Sequence, residues 1–370
     1  MKIDQLPAIF REEKFLGVSV ASSLGFACFG NSLMASLGNP FCLASIFVWL
    51  FVAILGSVFC VVRHADHLAI RLGEPYGTLL QTIAVTAIEV ISISATMLHG
   101  ANNPTLARDT LFGVVMIILN GMVGLSLLIG GWRHREQQYN FQSVNTYLSV
   151  IIPLAVLILI LPDFTVTTPG PTLSSRQETF IAIMAIGLYG TFLAIQTSRH
   201  RAYFTFEGEK PRHIPSPGAS RPLLAHAVLL FAYMVPVAYL AEQLAPPIDQ
   251  LVETMRAPAA LGGLIIAVLV ATPEAISAVR AAAANHLQRS VNISLGSVLA
   301  TIGLTVPAML VISHLTGKKI ILGLEHTDMI LLPLTLVVSI VTFASGRTNI
   351  LQGAVHLLLF AAYVVLIFEN

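Results

Sequence analysis

Two glutamates occupy matching positions in long apolar segments of the chain. Glu89 and Glu274 each lie near the middle of such a segment, and Gly77 and Gly262 each precede one of them by 12 residues. Burying a carboxylate in hydrocarbon costs at least about 2.5 kcal/mol, so an acid in this position indicates a function. The alternative is a protonated glutamate that only links neighbouring helices. We expect these two carboxylates to bind cations and protons.

Polar and small residues accompany the two acids at helical spacing. The polar residues around Glu89 recur every three or four positions, which places them on one face of a helix. They are Thr78, Thr82, Thr86, Ser92 and Thr96. The helix of Glu274 carries small residues at the same spacing, which permits a neighbouring helix to approach closely. They are Gly263, Ala267, Ala271 and Ser277.

Further oxygen atoms come from three other places. Thr272 lies two positions before Glu274, and Pro273 between them removes one backbone donor and so frees a helical carbonyl. Asn120 adds an amide in another apolar segment, where packing between helices explains it almost equally well. A later segment repeats the hydroxyl stripe with Ser290, Ser294, Ser297, Thr301 and Thr305. For any single hydroxyl, a bond to its own helix backbone is the more common role.

Carboxylate, hydroxyl and amide oxygens together form a hard ligand set. Such a set suits calcium, sodium or potassium rather than soft metals. Desolvation and mutual repulsion favour protonation of a pair of buried acids, so the loss of a cation favours proton uptake. The same two acids would therefore carry the cation and the protons at different times. The sequence indicates no resident cofactor.

The elements that must position these residues are membrane helices. Hydrophobic residues make up 55% of the 370 residues and charged ones only 11%, against about 25% charged in soluble proteins. Mean hydropathy is +0.80. The sequence predicts an all-α polytopic membrane protein with eleven spans. They lie near 15–36, 42–62, 76–98, 110–130, 146–162, 178–198, 222–241, 258–279, 291–313, 321–343 and 350–368.

The distribution of positive charge predicts the orientation. Fifteen of the 20 Lys and Arg residues fall on the side of the N-terminus. Because cytoplasmic loops collect positive charge, we expect a cytoplasmic N-terminus and a C-terminus outside. With no removable signal peptide recognised, a bacterial inner membrane is the expected location.

One polar break divides the predicted spans into repeats. Residues 199–221 are rich in Pro, Gly and Arg and are read as a cytoplasmic linker. We expect an N-terminal helix in 1–40, a five-helix repeat in 41–198 and a second in 222–370. Five spans per repeat invert the second repeat relative to the first, an arrangement typical of secondary transporters with a substrate site near the midplane.

Composition also bears on the expected partners. The net charge of +1 offers no basic surface for nucleic acid. Hard cations, protons and the lipid bilayer are the expected partners. Two smaller polar groups are interpreted as solvated helix ends, with cation attraction as the alternative. They are His64, Asp66 and His67, and Glu325, His326 and Asp328.

The motifs around both acids resemble those of ChaA-like cation/proton antiporters, a family of the calcium/cation antiporter superfamily. In the first half they are GEPYGTL at 73–79, TAIEV at 86–90, ARDTL at 107–111 and Asn120-Gly121. In the second half they are ATPEAI at 271–276, QRSVNISLGS at 288–297 and Thr305-Val-Pro307.

The resemblance covers nearly the whole chain. It implies one helix followed by two inverted five-helix repeats, and exchange of calcium or sodium for protons. It also implies that Glu89 and Glu274 carry the cation and the proton. Surrounding oxygens would come from Thr86, Asn120, Thr272 and Ser297.

Two other functions compete with antiport. A cation channel would use similar acids, and an integral-membrane enzyme such as an intramembrane protease would also bury acids. The chain contains no H-E-x-x-H, G-x-S-x-G or P-loop motif, so we expect a transporter rather than an enzyme.

Overall fold

The structure, a computed structural model, describes residues 13–72, 76–99, 104–204 and 221–369. Within these ranges the chain forms eleven long helices, which confirms the all-α prediction. They are α1 Lys14–Ala35, α2 Pro40–Leu72, α3 Tyr76–His99, α4 Leu106–His134, α5 Phe141–Phe164, α6 Ser175–Ser198, α7 Leu223–Met255, α8 Ala260–Ala283, α9 Leu287–Thr316, α10 Asp328–Thr342 and α11 Ile350–Ile367. Nine described helices are long and apolar enough to cross a membrane, while α10 and Thr82–Leu98 of α3 are shorter. The chain is a polytopic membrane protein.

Side-chain caps fix several helix ends. The side chain of Asn39 accepts a hydrogen bond from the Phe41 amide at 2.9 Å where α2 begins. Ser174 forms a capping box with Gln177 at the start of α6, and Asn349 forms another with Gln352 at the start of α11. Each cap gives unpaired backbone donors a partner, so these boundaries follow from local sequence.

The chain divides into two compact units. Unit 1 contains residues 1–103 and 210–257, and therefore α1, α2, α3 and α7. Helices α2 and α7 pack along each other, and both α1 and α3 pack against this pair. The centre of the unit is apolar. Its most buried side chains include Leu50, Ile54, Val61, Ile93, Tyr233 and Val237.

Unit 2 contains residues 104–209 and 258–370, and therefore α4 to α6 and α8 to α11. Helix α8 packs against α4 and α9, while α11 packs along α4. Two short strands, β1 Gln137–Gln138 and β2 Arg347–Thr348, pair antiparallel before α5 and α11. The unit therefore has α4 in contact with both α8 and α11.

Four of the described helices contain a widened π turn, and two of these turns lie at matching places in the predicted repeats. Helix α4 has one at Ile117–Met122 and α9 has one at Thr301–Thr305. Both are the third helix of a predicted repeat. A π turn inside an α-helix leaves part of the backbone without its regular partners and is frequent at functional sites. Asn120 lies within the first of these turns.

Several predicted span limits were wrong. Helix α2 continues ten residues beyond the predicted end, and α7 continues beyond residue 241 to Met255 through Pro246 and Pro247. Polar residues that are covered by other helices remain helical, which a hydropathy pattern does not show. Helix α10 begins at Asp328 rather than near residue 321. Residues 321–327, which the prediction included in the span, are not helical.

Some predicted features lie outside the described residues. They are residues 1–12 of the N-terminal segment, residues 73–75 of the first motif, residues 205–220 of the linker, and Asn370. The repeat boundaries and the orientation of the termini stay predictions.

Candidate cation site

The predicted polar face of α3 is buried in unit 1. Glu89 is 3% exposed, and the side chains of Thr86, Ser92 and Thr96 on the same face are also buried. Helix α3 packs against α2 and α7 of this unit. The Thr96 hydroxyl donates to the Ser92 carbonyl at 2.9 Å, the common role of a membrane-helix hydroxyl. Glu89 and Thr86 thus share one buried helix face, as the spacing predicts.

The second acid lies in unit 2 between two helices. Glu274 follows Pro273 inside α8, and the Ser297 hydroxyl of α9 donates a hydrogen bond to Glu274 Oε2. Both side chains are half-buried. The structure therefore brings together two of the predicted ligands, from helices that the sequence alone did not pair.

Thr272 lies on α8 close to this acid in sequence. Its hydroxyl donates to the Val268 carbonyl at 2.5 Å, and the side chain is half-buried. A hydroxyl that donates to its own helix keeps lone pairs that can accept or bind a cation. Thr272 therefore remains able to supply an oxygen.

Close packing fixes the position of α8. A Cβ at Gly263 would lie 2.7 Å from the carbonyl carbon of Asp109, a distance that real side chains do not reach. Gly113 on α4 faces Ala267 in the same contact. The small residues predicted to allow close approach therefore do so, against α4.

Asn120 has partners of its own in unit 2. It is completely buried, and its Nδ2 donates to Thr335 Oγ1 of α10 at 2.8 Å. Its Oδ1 lies 3.2 Å from Nδ1 of His356 on α11. The packing role considered for this residue is thus present, and its role as a cation ligand stays a prediction.

Most of the sequence matches a known protein family. A family model described as sodium/calcium exchanger protein matches residues 43–198 and 225–369. The chain belongs to the sodium/calcium exchanger protein family. The two matched segments lie on either side of the polar break at 199–221.

Two named antiporters and a solved structure are similar to this chain over most of its length. The chain is 40% identical over 321 residues to the sodium-potassium/proton antiporter ChaA of Escherichia coli (strain K12), covering 86% of this chain and 87% of that protein. It is 24% identical to the Ca(2+)/H(+) antiporter ChaA of Bacillus subtilis (strain 168), covering 85% and 91%. The solved structure of YfkE superposes with a TM-score of 0.73 at 22% identity and covers 96% of this chain and 100% of that one, which shows a shared fold.

A charged cluster at the start of α4 was missed by the sequence analysis. Arg108 Nε donates to Asp109 Oδ1 at 2.7 Å, and Arg108 also pairs with Glu325 at 3.0 Å. Arg108 and Asp109 are buried, although both lie just before the predicted span at 110–130. The Glu325 side chain is 52% exposed, in keeping with the expected solvated end. The cluster ties α4 to the segment that leads into α10.

A second polar cluster in this exchanger-family chain lies in unit 1. Glu13 pairs with Arg63 and Arg221, each at 2.6 Å, and accepts from Tyr233 at 2.8 Å. Burial alone would raise the pKa of Glu13, but the hydrogen bonds and positive charges around it hold that pKa well below its usual range. The cluster joins the start of α1 to α2 and α7.

The histidines of α2 belong to the same region, so their interpretation as a solvated helix end was wrong. His64 is 1% exposed and His67 is 6% exposed. His64 Nε2 lies 3.3 Å from Glu13, and its Nδ1 lies 3.0 Å from Nδ1 of His226 on α7. These histidines are buried because α7 covers them, a contact between helices that are far apart in sequence.

Proposed function

We propose that the chain is a secondary antiporter that exchanges a hard cation, Ca²⁺, Na⁺ or K⁺, for protons across a bacterial inner membrane. The observation that carries the proposal is the contact between Glu274 and Ser297, which places a carboxylate and a hydroxyl oxygen together on two facing helices of a membrane protein. Relatives named as sodium-potassium/proton and Ca(2+)/H(+) antiporters support the same activity.

The chemistry of exchange follows from competition at a carboxylate. An ionised Glu274 attracts a cation. A protonated Glu274 is neutral, so it forms hydrogen bonds but binds a cation only weakly. Cation release therefore favours proton binding, and proton release favours cation binding. The hydroxyl of Ser297 can turn to donate to the carboxylate or to offer a lone pair to a bound cation, so it suits both states.

Glu89 is proposed to bind the cation and the proton as Glu274 does, because it occupies the matching position of the first predicted repeat. Its 3% exposure means that an ionised form needs a compensating positive charge. A bound cation or a proton would supply that charge. The remaining proposed ligands are Thr86, Asn120, Thr272 and Ser297. Alternating access is part of this proposal and depends on the predicted repeats.

Replacement of each acid by its amide tests the proposal. Glu89→Gln and Glu274→Gln mimic the protonated carboxyl in shape but cannot exchange a proton, so each variant should lose cation/proton exchange in proteoliposomes. The variants should still elute as monodisperse protein in detergent, because a neutral amide is less costly to bury than a charge.

Glu253→Gln is the matched control, because Glu253 is an exposed glutamate on α7. It should exchange cations at the wild-type rate. Wild-type exchange by Glu274→Gln would contradict the proposal, since the carboxylate would then carry neither ion.

A further inference from the structure

Helix α11 approaches α4 at the turn that holds Asn120. A Cβ at Gly124 would lie 2.9 Å from Cγ of Leu357 and 3.0 Å from its backbone nitrogen. A Cβ at Gly353 would lie 2.9 Å from the carbonyl oxygen of Gly124. The two backbones therefore touch where only glycine fits, one turn away from Asn120 on α4 and from His356 on α11. This contact places His356 against the π turn.

His356 makes polar contacts on both sides of its ring and is completely buried. Its Nδ1 lies 3.2 Å from Oδ1 of Asn120, and its Nε2 lies 3.0 Å from the hydroxyl of Thr342. A single side chain thus joins α11 to α10 and to the irregular part of α4.

The orientation of the Asn120 amide in the structure sets which ring nitrogen of His356 carries the hydrogen. The Asn120 amide oxygen can only accept, so Nδ1 donates to it. Nε2 of the neutral ring then accepts from the Thr342 hydroxyl. The other end of the same amide is also held, because Nδ2 of Asn120 donates to the hydroxyl of Thr335 at 2.8 Å.

We propose that His356 is a positioning residue for cation binding: its Nδ1–H holds the Asn120 amide so that the amide oxygen keeps a fixed direction in the π turn. This inference rests on the proposed function, because it assumes that Asn120 is one of the cation ligands. An amide oxygen has two lone pairs, so it can accept from His356 and still bind a cation. Without the histidine, the amide can rotate and present its NH₂ group, which repels a cation.

Two substitutions of similar size separate positioning from simple packing. In His356→Asn, the new NH₂ group occupies about the place of Nδ1–H and can still donate to Asn120. In His356→Gln, the new amide reaches about as far as Nε2 and keeps the contact with Thr342, but it offers no donor at the Nδ1 position. Both variants remove the ring. A purely structural role would impair His356→Asn at least as much as His356→Gln, because only the latter keeps the Thr342 contact, whereas a positioning role would impair only His356→Gln.

The measurement is the KM for Ca²⁺ and for Na⁺ in proteoliposomes with a fixed pH gradient, together with the apparent melting temperature in detergent. His356→Gln should raise the KM about tenfold, at the low end of the range for residues that hold a metal ligand. His356→Asn should keep the KM within about twofold of wild type, as expected when the donor to a ligand is retained. The melting temperatures of the two variants should be alike.

The double variant Asn120→Ala/His356→Gln completes the test. If His356 acts through Asn120, adding His356→Gln to Asn120→Ala should leave the KM unchanged. Additive effects, or equal KM values for His356→Asn and His356→Gln, would overturn the inference while leaving exchange itself intact. A wild-type protein that performs no cation/proton exchange would instead refute the proposed function, and the inference with it.

Discussion

Neutralising Glu13 should destabilise the protein measurably. The Glu13 side chain is 4% exposed and is paired with Arg221 and Arg63, which are 12% and 29% exposed. Breaking a buried ion pair costs about 3 to 5 kcal/mol, and the partial exposure of both arginines favours the low end. Glu13→Gln should therefore lower the free energy of unfolding by about 3 kcal/mol. For 370 residues this corresponds to an apparent melting temperature lower by about 4 °C.

The destabilisation caused by Glu13→Gln should also become smaller as the pH falls. Because the folded-state pKa of Glu13 lies below its unfolded value, the carboxylate stabilises the protein above about pH 5, where the unfolded chain is also ionised. That stabilisation is lost as the pH falls towards the folded-state pKa. The difference in melting temperature between wild type and Glu13→Gln should be constant from pH 6 to pH 8 and should shrink below about pH 4.

Thermal unfolding in detergent, followed by tryptophan fluorescence, measures both effects. Glu253→Gln, the exposed control, should change the free energy of unfolding by no more than about 0.5 kcal/mol. A Glu13→Gln variant as stable as wild type at pH 7, or a difference that grows as the pH falls, would refute the reasoning.

Three further predictions follow from the structure. Gly263→Ala should destabilise the protein by about 1 to 3 kcal/mol, because its Cβ meets the α4 backbone, whereas Gly187→Ala, with open space around it, should be neutral or stabilising in a thermal unfolding assay. Ser297→Ala removes the hydroxyl that donates to Glu274. It should therefore weaken cation affinity about tenfold or more in flux assays, while the affinity still rises with pH because a hydroxyl does not titrate. Cysteines placed at Ser216 and Asn370 in a cysteine-free background should react with impermeant reagents from opposite sides of sealed cells; labelling from one side would contradict the predicted orientation.

Local sequence was enough to predict the membrane helices and their polar faces. Apolar length fixes which segments can span a bilayer, and a residue spacing of three or four fixes which side chains share a face. The buried face of Glu89 and the close approach at Gly263 were therefore predictable. Neither depends on knowing which other helix lies opposite.

Contacts between distant segments were not predictable in this way. Asn120 and His356 are separated by 236 positions, and nothing near either residue identifies the other. His64 looked like part of a solvated helix end because the covering helix α7 lies far along the chain. The Asn-Gly-x-x-Gly pattern at 120–124 was the one local sign of close packing at the π turn.

The central claim is that cation movement is coupled to proton movement. Proteoliposomes loaded with a pH-sensitive dye and given radioactive Ca²⁺ or Na⁺ outside would report both fluxes at once under imposed pH gradients of either direction. We expect cation uptake only when protons leave, reversal of uptake when the gradient is reversed, and neither flux in Glu274→Gln. Cation uptake that follows its own gradient regardless of the pH gradient would indicate a channel and would contradict the account.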